Sequence, residues 1–163
     1  MHREGHIGMA LLFYAPVGLI TATITTLELA ALGVIVPVGL AMLPDIDMKL
    51  PGVKHRGITH TVHFAALVGL LLGMIGIGLG WSAGLLSALM LGLFGFSTGS
   101  MTILSHIVAD ALTPAGVDMF HTGDSVSYDI ARASNPIANY GLLVVGATAC
   151  FIAAALVNAV GLG

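Results

Sequence analysis

Hydrophobic and polar positions along this chain fall in long blocks, with short polar stretches between them. Five apolar runs stand out, at about residues 7–25, 29–43, 62–80, 83–105 and 138–160. Most of these runs approach the roughly 20 residues that a helix needs to cross about 30 Å of hydrocarbon. The pattern therefore predicts an all-α fold, a polytopic transmembrane helical bundle of about five spans. We expect residues 1–163 to form a single membrane-embedded domain.

The second apolar run differs from the others because it is short and contains Gly33, Pro37 and Gly39. These residues predict a tilted or kinked helix that crosses the membrane with shielding from its neighbours. The third and fourth runs contain glycine pairs at a spacing of four, Gly69 with Gly73 and Gly95 with Gly99. We interpret these pairs as sites of close helix packing within the chain.

The composition supports a membrane protein. Hydrophobic residues make up 57% of the chain, charged residues only 8%, and the mean hydropathy is +1.02. A soluble domain carries about a quarter of its residues as charged side chains. The net charge of -3 gives no nucleic-acid footprint, so no nucleic-acid partner is predicted. The first apolar run is expected to be a retained helix of a multi-pass protein in the inner, cytoplasmic membrane.

The charged residues fall on one side of this predicted topology. Five spans place the N-terminus, the loop at 44–58 and the segment after residue 111 on the same side. All the basic residues lie there, namely Arg3, Lys49, Lys54, Arg56 and Arg132. The positive-inside rule makes this side cytoplasmic, with the N-terminus in and the C-terminus out. All seven histidines and every acid except Glu28 share it.

This concentration of histidines and acids suggests a site assembled from helix ends. The candidates are His6 on the first helix, Asp45 and Asp47 after the second, His55, His60 and His63 near the third, and His106 and Asp110 at the end of the fourth. His106 and Asp110 are four residues apart, so both project from one face of a helix. Imidazole and carboxylate without thiolate suit an open catalytic site for zinc, manganese or iron.

Each residue also has a simpler interpretation. The stretch LPDID resembles a helix exit followed by a turn, and His63 is best explained as a polar residue on the first turn of a helix. Lys49, Lys54 and Arg56 suit interfacial anchors, although Arg56 could also hold a substrate phosphate. Ionisable groups near embedded helix ends are costly unless paired or bound to metal. Their joint occurrence on four spans therefore favours a metal site.

Four motifs extend the argument: GHIGMA, LPDID, HRGITHT and HIVADALTPAGV, in this order over about residues 4–120. Together they resemble the YdjM-like membrane-bound metal-dependent hydrolase family. That family is similar, in the order of its His and Asp motifs, to the zinc-dependent phospholipase C and P1 nuclease group. The resemblance implies a cofactor of one or two zinc ions, with manganese as an alternative. It implies the metal ligands His6, Asp45, His60, His106 and Asp110.

The resemblance also implies that Asp110 bridges two ions and that Asp45 lies near the attacking water. The soluble zinc enzymes use the amino group of an N-terminal tryptophan and a final His-x-x-x-Glu pair, and this chain has neither. The only tryptophan, Trp81, falls on the opposite side. After Asp110, the remaining candidate ligands are Asp118, His121, Asp124 and Asp129. A third metal ion is therefore not expected.

These observations lead to a functional hypothesis: a metal-dependent hydrolase acting on a small-molecule or lipid phosphoester at the cytoplasmic membrane face. Asp45 would orient or deprotonate the water, and His55 or Arg56 would meet the developing negative charge. Asp47 would fix a metal-binding imidazole through its other ring nitrogen. One alternative is a cation or proton transporter, and another is a membrane protein in which a metal clips helix ends together without turnover.

Overall fold

The computed structural model describes residues 1–161, and this part of the chain is helical and contains no β-strand. It has six α-helices: α1 (Arg3–Ile24), α2 (Leu27–Gly33), α3 (Ile35–Leu40), α4 (Val62–Gly80), α5 (Leu85–Ala111) and α6 (Pro136–Ala159). Five segments are long and apolar enough to cross a membrane, because α2, α3 and the 3₁₀ turn at Pro44–Lys49 together form one of them. The predicted all-α bundle of about five spans is confirmed.

The second segment is broken, as its glycines and proline predicted. Helix α2 ends at Gly33 and α3 begins at Ile35. Pro37 has no N–H with which to bond the carbonyl four residues earlier, and Gly33 favours the helix weakly, so the ladder is interrupted at this point. The chain then continues through the 3₁₀ turn at Pro44–Lys49. The break lets the end of this segment approach the other helix ends.

Helices α4 and α5 form a hairpin whose backbones lie in contact. A Cβ atom on Gly76 would overlap the carbonyl of Leu91, and one on Gly95 would overlap the carbonyl of Leu72. Only glycine allows this approach, which replaces side-chain packing with direct backbone contact. The close packing that the glycine spacing predicted is present, and it joins two helices of the same chain.

Helix α1 packs between α5 and α6, and glycines again set the distance to α6. A Cβ on Gly8 would meet the backbone of Leu142, and one on Gly146 would meet the carbonyl of Gly8. The opposite face of α6 exposes large apolar side chains such as Ile137 and Phe151, at 84% and 74%. Such a face suits lipid, because a surface of this kind in water would drive association.

The connection between α5 and α6, residues 112–135, folds back over the ends of α4 and α5. Val117 and Val126 form an isolated antiparallel bridge. The Tyr128 amide donates to the carbonyl of Ala111 at 2.8 Å, and the Val62 amide donates to that of Met119 at 3.0 Å. This connection therefore covers the end of the bundle at which α1 and α4 begin and α5 ends, which we call the site end.

Candidate metal centre

Four side chains converge at the site end. Asp45 comes from the 3₁₀ turn after α3, His60 from a 3₁₀ turn before α4, and His106 and Asp110 from the last two turns of α5. Their ligand atoms all lie within 4.8 Å of one another. His60 and His106 are fully buried, Asp110 is 1% exposed and Asp45 is 9% exposed. We call these four residues the His–Asp cluster.

The two imidazoles face each other through the same nitrogen. His60 Nε2 lies 3.2 Å from His106 Nε2. The same two atoms are 3.3 and 3.4 Å from Asp45 Oδ1. They are 3.6 and 3.8 Å from Asp110 Oδ2. Two ring nitrogens and two carboxylate oxygens therefore point into one small volume.

The outer ring nitrogens fix which tautomer each imidazole adopts. His106 Nδ1 is 2.7 Å from the Ala41 carbonyl, an acceptor, so this nitrogen must donate and carry a proton. His60 Nδ1 lies 3.0 Å from the Thr59 hydroxyl oxygen, which can accept from it, and 3.3 Å from Asp47 Oδ2. The Thr59 hydroxyl donates to the same carboxylate oxygen at 2.8 Å. In their neutral forms both histidines therefore present an unprotonated Nε2 to the cluster.

This donor set fits a bound divalent metal. Two lone pairs at 3.2 Å repel each other, and two carboxylates add negative charge in a buried place. One proton would join one pair of atoms, whereas a divalent cation would satisfy all four ligand atoms together. Imidazole nitrogen and carboxylate oxygen, without thiolate, are ligands of zinc and manganese. The hydrogen bonds to the outer nitrogens are those that orient metal-binding imidazoles in proteins.

His6 lies directly beside the cluster. Its ring stacks on that of His106 with centroids 3.8 Å apart and an interplanar angle of 7°. Its Nε2 is 3.5 Å from Asp110 Oδ1, and its buried Nδ1 has no hydrogen-bond partner. A buried ring nitrogen without a partner is uncommon. His6 therefore has a nitrogen available to a cation next to the four cluster residues.

The second oxygen of Asp110 faces positive groups. Its Oδ1 accepts from the α-amino group of Met1 at 2.7 Å and from the Arg56 guanidinium at 3.0 Å. The Met1 contact had no signal in the residue types of the sequence. The Asp110 carboxylate thus links the imidazoles on one side to two cations on the other.

Asp47 and His55 lie one layer further out. Asp47 is 1% exposed and accepts from the Arg56 backbone N–H at 3.1 Å. The His55 ring is 43% exposed, and its Nδ1 is 2.9 Å from Asp47 Oδ1. His55 therefore borders the His–Asp cluster from outside: its Nδ1 pairs with Asp47, and its ring lies edge-on to that of His60 with centroids 5.3 Å apart. Asp47, His55 and His60 could form a second metal-binding group, but it would share His60 with the first.

A polar groove of about 270 Å³ borders the cluster at Arg56. It is lined on one side by Lys54, His55 and Arg56, and on the other by residues 115–118, His121, Gly123 and Ser125. The predicted candidate His121 lies in this groove and outside the cluster, and His63 is exposed on the first turn of α4. Backbone N–H groups of Gly123 and Thr122 hold the pKa of Asp118 below its usual value, so its carboxylate stays ionised.

Several contacts of the site had no clear signal in the sequence. The Ala41 carbonyl orients His106, and Asn139 of α6 accepts from the His2 amide at 2.9 Å. A backbone carbonyl cannot be identified from residue type. Thr59 was detectable, because a hydroxyl beside a candidate ligand histidine is a natural hydrogen-bond partner.

The comparisons with known proteins place the chain in a family. A family model described as YdjM inner membrane protein matches residues 1–160. No curated protein and no solved structure matches the chain, so the likeness to phospholipase C and P1 nuclease has no support beyond the order of motifs. The family match covers nearly the whole chain and agrees with the five helices of membrane-spanning length. The chain therefore belongs to the YdjM inner membrane protein family.

Proposed function

We propose that this protein is a metal-dependent hydrolase that cleaves a phosphoester at the cytoplasmic face of the inner membrane. The observation that supports this most is the His–Asp cluster, in which two unprotonated imidazole nitrogens and two carboxylates converge. The cluster is buried but borders an open groove through an arginine. A donor set for a cation next to a cationic side chain suits an anionic substrate.

Asp45, His60, His106 and Asp110 would hold the metal, with His6 as a further ligand. Zinc is the preferred ion because imidazole and carboxylate ligands suit it, and manganese is the alternative. When bound, such an ion lowers the pKa of a water molecule and offsets negative charge on a phosphoester. Asp110 would be one of these ligands, and its Oδ1 also contacts the Met1 amino group and the Arg56 guanidinium.

Asp45 is the member of the cluster that solvent reaches, at 9% exposure against 1% or less for the other three. Its carboxylate can orient a water molecule and accept a proton from it. Hydrolysis would add the hydroxyl of that water to phosphorus and break the ester P–O bond, while the other proton of the water passes first to a base and then to the departing oxygen. Asp45 would serve as the base for the first of these proton transfers.

Arg56 is placed to meet the phosphate. One guanidinium nitrogen contacts Asp110 at 3.0 Å, and another donates to the Gly116 carbonyl at 2.7 Å, so the group is held at the border of cluster and groove. A planar guanidinium can pair with two phosphate oxygens at once. His55 lines the same groove and, by its position, would contact the outer part of a substrate.

The cytoplasmic location rests on charge. Arg3, Lys49, Lys54, Arg56 and Arg132 all lie near the site end, and the positive-inside rule places such an end in the cytoplasm. The concentration of ionisable groups at this end also favours an enzyme over a transporter, which would place them near the bilayer midplane. A metal that only clips helix ends is the second candidate, favoured by the near-complete burial of His60, His106 and Asp110.

The experiment is to purify the protein in detergent, load it with zinc or manganese, and screen p-nitrophenyl phosphomonoesters and phosphodiesters. We expect near-stoichiometric metal and turnover that disappears in Asp45→Asn, while Asp124→Asn, an exposed acid outside the cluster, turns over like wild type. Stoichiometric metal without turnover of any ester would favour the clip. A folded protein that takes up no metal would exclude both.

A further inference from the structure

A second opening borders the His–Asp cluster, and unlike the polar groove it is lined mainly by apolar side chains. This apolar mouth, of about 290 Å³, is lined by Gly39, Met42, Leu43, Asp45, Ile46, Met48 and Lys49. Asp45 is therefore both a wall of the apolar mouth and a member of the cluster. The volume is near the lower end for ligand pockets, so it suits part of a molecule.

From this geometry we infer that the substrate is an anionic membrane lipid, whose acyl chain enters through the apolar mouth while its phosphate meets the cluster. This inference rests on the proposed hydrolase function and narrows its substrate class. The polar remainder of the headgroup would then lie in the groove at Lys54 and Arg56. Asp45 lines the mouth, and the groove meets the cluster through Arg56, which lies 3.0 Å from Asp110. Because the ligand atoms of Asp45 and Asp110 lie within 4.8 Å of each other, a phosphate between the mouth and Arg56 would lie beside the cluster.

The position of the mouth on the chain supports lipid as the occupant. It forms where the membrane-length segment Leu27–Lys49 ends. On the helix that leads to it, Ile35 and Val38 are 69% and 40% exposed, and Ile46 and Met48 at its rim are 44% and 61% exposed. These exposed apolar side chains mark a path along the chain, from the membrane-length segment to the turn that carries Asp45. Acyl chains are the molecules that surround such a path in a bilayer.

The charge at the rim indicates an anionic headgroup. Lys49 lines the mouth beside exposed apolar residues, and Lys54 and Arg56 follow it along the chain. A lysine at the end of a spanning segment places its stem along apolar surface and its ammonium at the headgroup level. Each basic residue at this level attracts anionic lipid. A neutral amphiphile would offer no counter-charge to Lys49 and Lys54, whereas Arg56 already contacts Asp110.

Gly39 offers a way to close the mouth without disturbing the fold. Within residues 1–161, and apart from its own stretch of helix, nothing lies within 4 Å of where its Cβ would be, and the residue is exposed. A leucine at this position would extend into the mouth and not into the protein. Gly141 on α6 is the matched control, since it is also an exposed helical glycine with nothing within 4 Å.

The first measurement is independent of turnover. Wild type, Gly39→Leu and Gly141→Leu would be reconstituted in phosphatidylcholine vesicles containing phosphatidylglycerol with a diazirine in one acyl chain. After illumination, mass spectrometry would quantify labelling of residues 42–48 relative to α6. We expect this ratio to fall about tenfold in Gly39→Leu, since the pocket loses room for several methylenes, and to be unchanged in Gly141→Leu. Equal ratios in all three proteins would overturn the inference.

The second measurement uses metal-loaded protein and two esters that differ only in chain length, methyl and hexadecyl p-nitrophenyl phosphate. We expect wild type to prefer the hexadecyl ester and Gly39→Leu to lose about tenfold of this preference. Ile46→Trp, which narrows the rim at an exposed position, would show the same loss if Gly39→Leu did not fold. A preference unaltered in these variants would overturn the inference while leaving the hydrolase standing. If neither ester were hydrolysed, the result would count against the hydrolase function. The labelling ratio would still test whether an acyl chain enters the mouth.

Discussion

Helices α4 and α5 contact each other in two different ways along their length. Towards the turn that joins them, glycines such as Gly76 and Gly95 bring the backbones into direct contact. At the site end, the same pair of helices is separated by side chains, with Ala65, Val68 and Ile107 in an apolar core and His106 beyond it. The glycine-packed region is held by close packing of the two backbones. The site end, in contrast, contains the two carboxylates and the two imidazole lone pairs of the His–Asp cluster.

The difference shows how a small membrane protein can place repulsive groups in its interior. Backbone contact between α4 and α5 needs no ligand and holds the helices at a fixed spacing. Because the spacing of the helices is fixed, the Nε2 atoms of His60 and His106 can be held 3.2 Å apart although their lone pairs repel each other. We therefore expect the glycine-packed region to contribute stability and the site end to contribute affinity for the proposed cation. Three predictions test this division.

The largest effect is expected from Gly76→Leu in the glycine-packed region. The new side chain would collide with the backbone of Leu91 and separate α4 from α5, destabilising the protein by about 3 kcal/mol. Thermal unfolding in detergent, followed by circular dichroism, would measure the loss. Gly78→Leu is the matched control, because Gly78 lies on the same helix with nothing within 4 Å. Equal melting temperatures for the two variants would show that backbone contact does not hold the hairpin.

Removing a cluster imidazole should weaken metal binding with a smaller effect on the fold. For His106→Ala we expect zinc affinity to fall about a hundredfold or more, because loss of a ligand exceeds the effect of losing its hydrogen-bond partner. Elemental analysis and zinc titration of the purified protein would measure it. His63→Ala, which removes an exposed histidine, should bind like wild type. If the His106→Ala protein unfolded as readily as Gly76→Leu, the two regions would not be separable.

The smallest of the three effects is expected from Asp47→Asn. The substitution keeps the shape of the side chain but weakens the acceptor for the Thr59 hydroxyl, which contacts His60 Nδ1 at 3.0 Å, and removes the charge 3.3 Å from that nitrogen. His60 Nε2 therefore loses part of its orientation and basicity. Zinc affinity should fall about tenfold to a hundredfold, which isothermal titration can resolve. An affinity equal to that of wild type would mean that Asp47 serves the fold alone.

Much of the fold could be predicted because a helix that crosses a lipid bilayer must be long and apolar. Apolar runs of membrane length located the five segments, and Gly33, Pro37 and Gly39 predicted that the second would be tilted or kinked. The candidates His6, Asp45, His60, His106 and Asp110 followed from the cost of placing ionisable groups near embedded helix ends. The structure brings these five residues together at the site end, and their role as metal ligands stays a prediction.

Other features of the site depend on geometry that residue types do not encode. Asp45 and Asp47 are two residues apart in the sequence. The 3₁₀ turn at Pro44–Lys49 places Asp45 in the cluster and Asp47 beside the outer nitrogen of His60. His55 belongs to the same motif as His60, yet it lies outside the cluster with its ring 43% exposed. The orientation of the chain in the membrane likewise rests on the distribution of its basic residues and stays a prediction.

The arrangement of α6 bears on the order in which the protein is assembled. This helix supplies none of the cluster residues and contacts the bundle mainly along α1, at Gly8 and Gly146. Synthesis proceeds from the N-terminus, so Asp110 is made before α6 begins at Pro136. Every cluster residue is therefore synthesised before the spanning helix α6. All the cluster residues have thus been made when α6 inserts. Asn139 of α6 then accepts a hydrogen bond from the His2 amide, at the start of the chain.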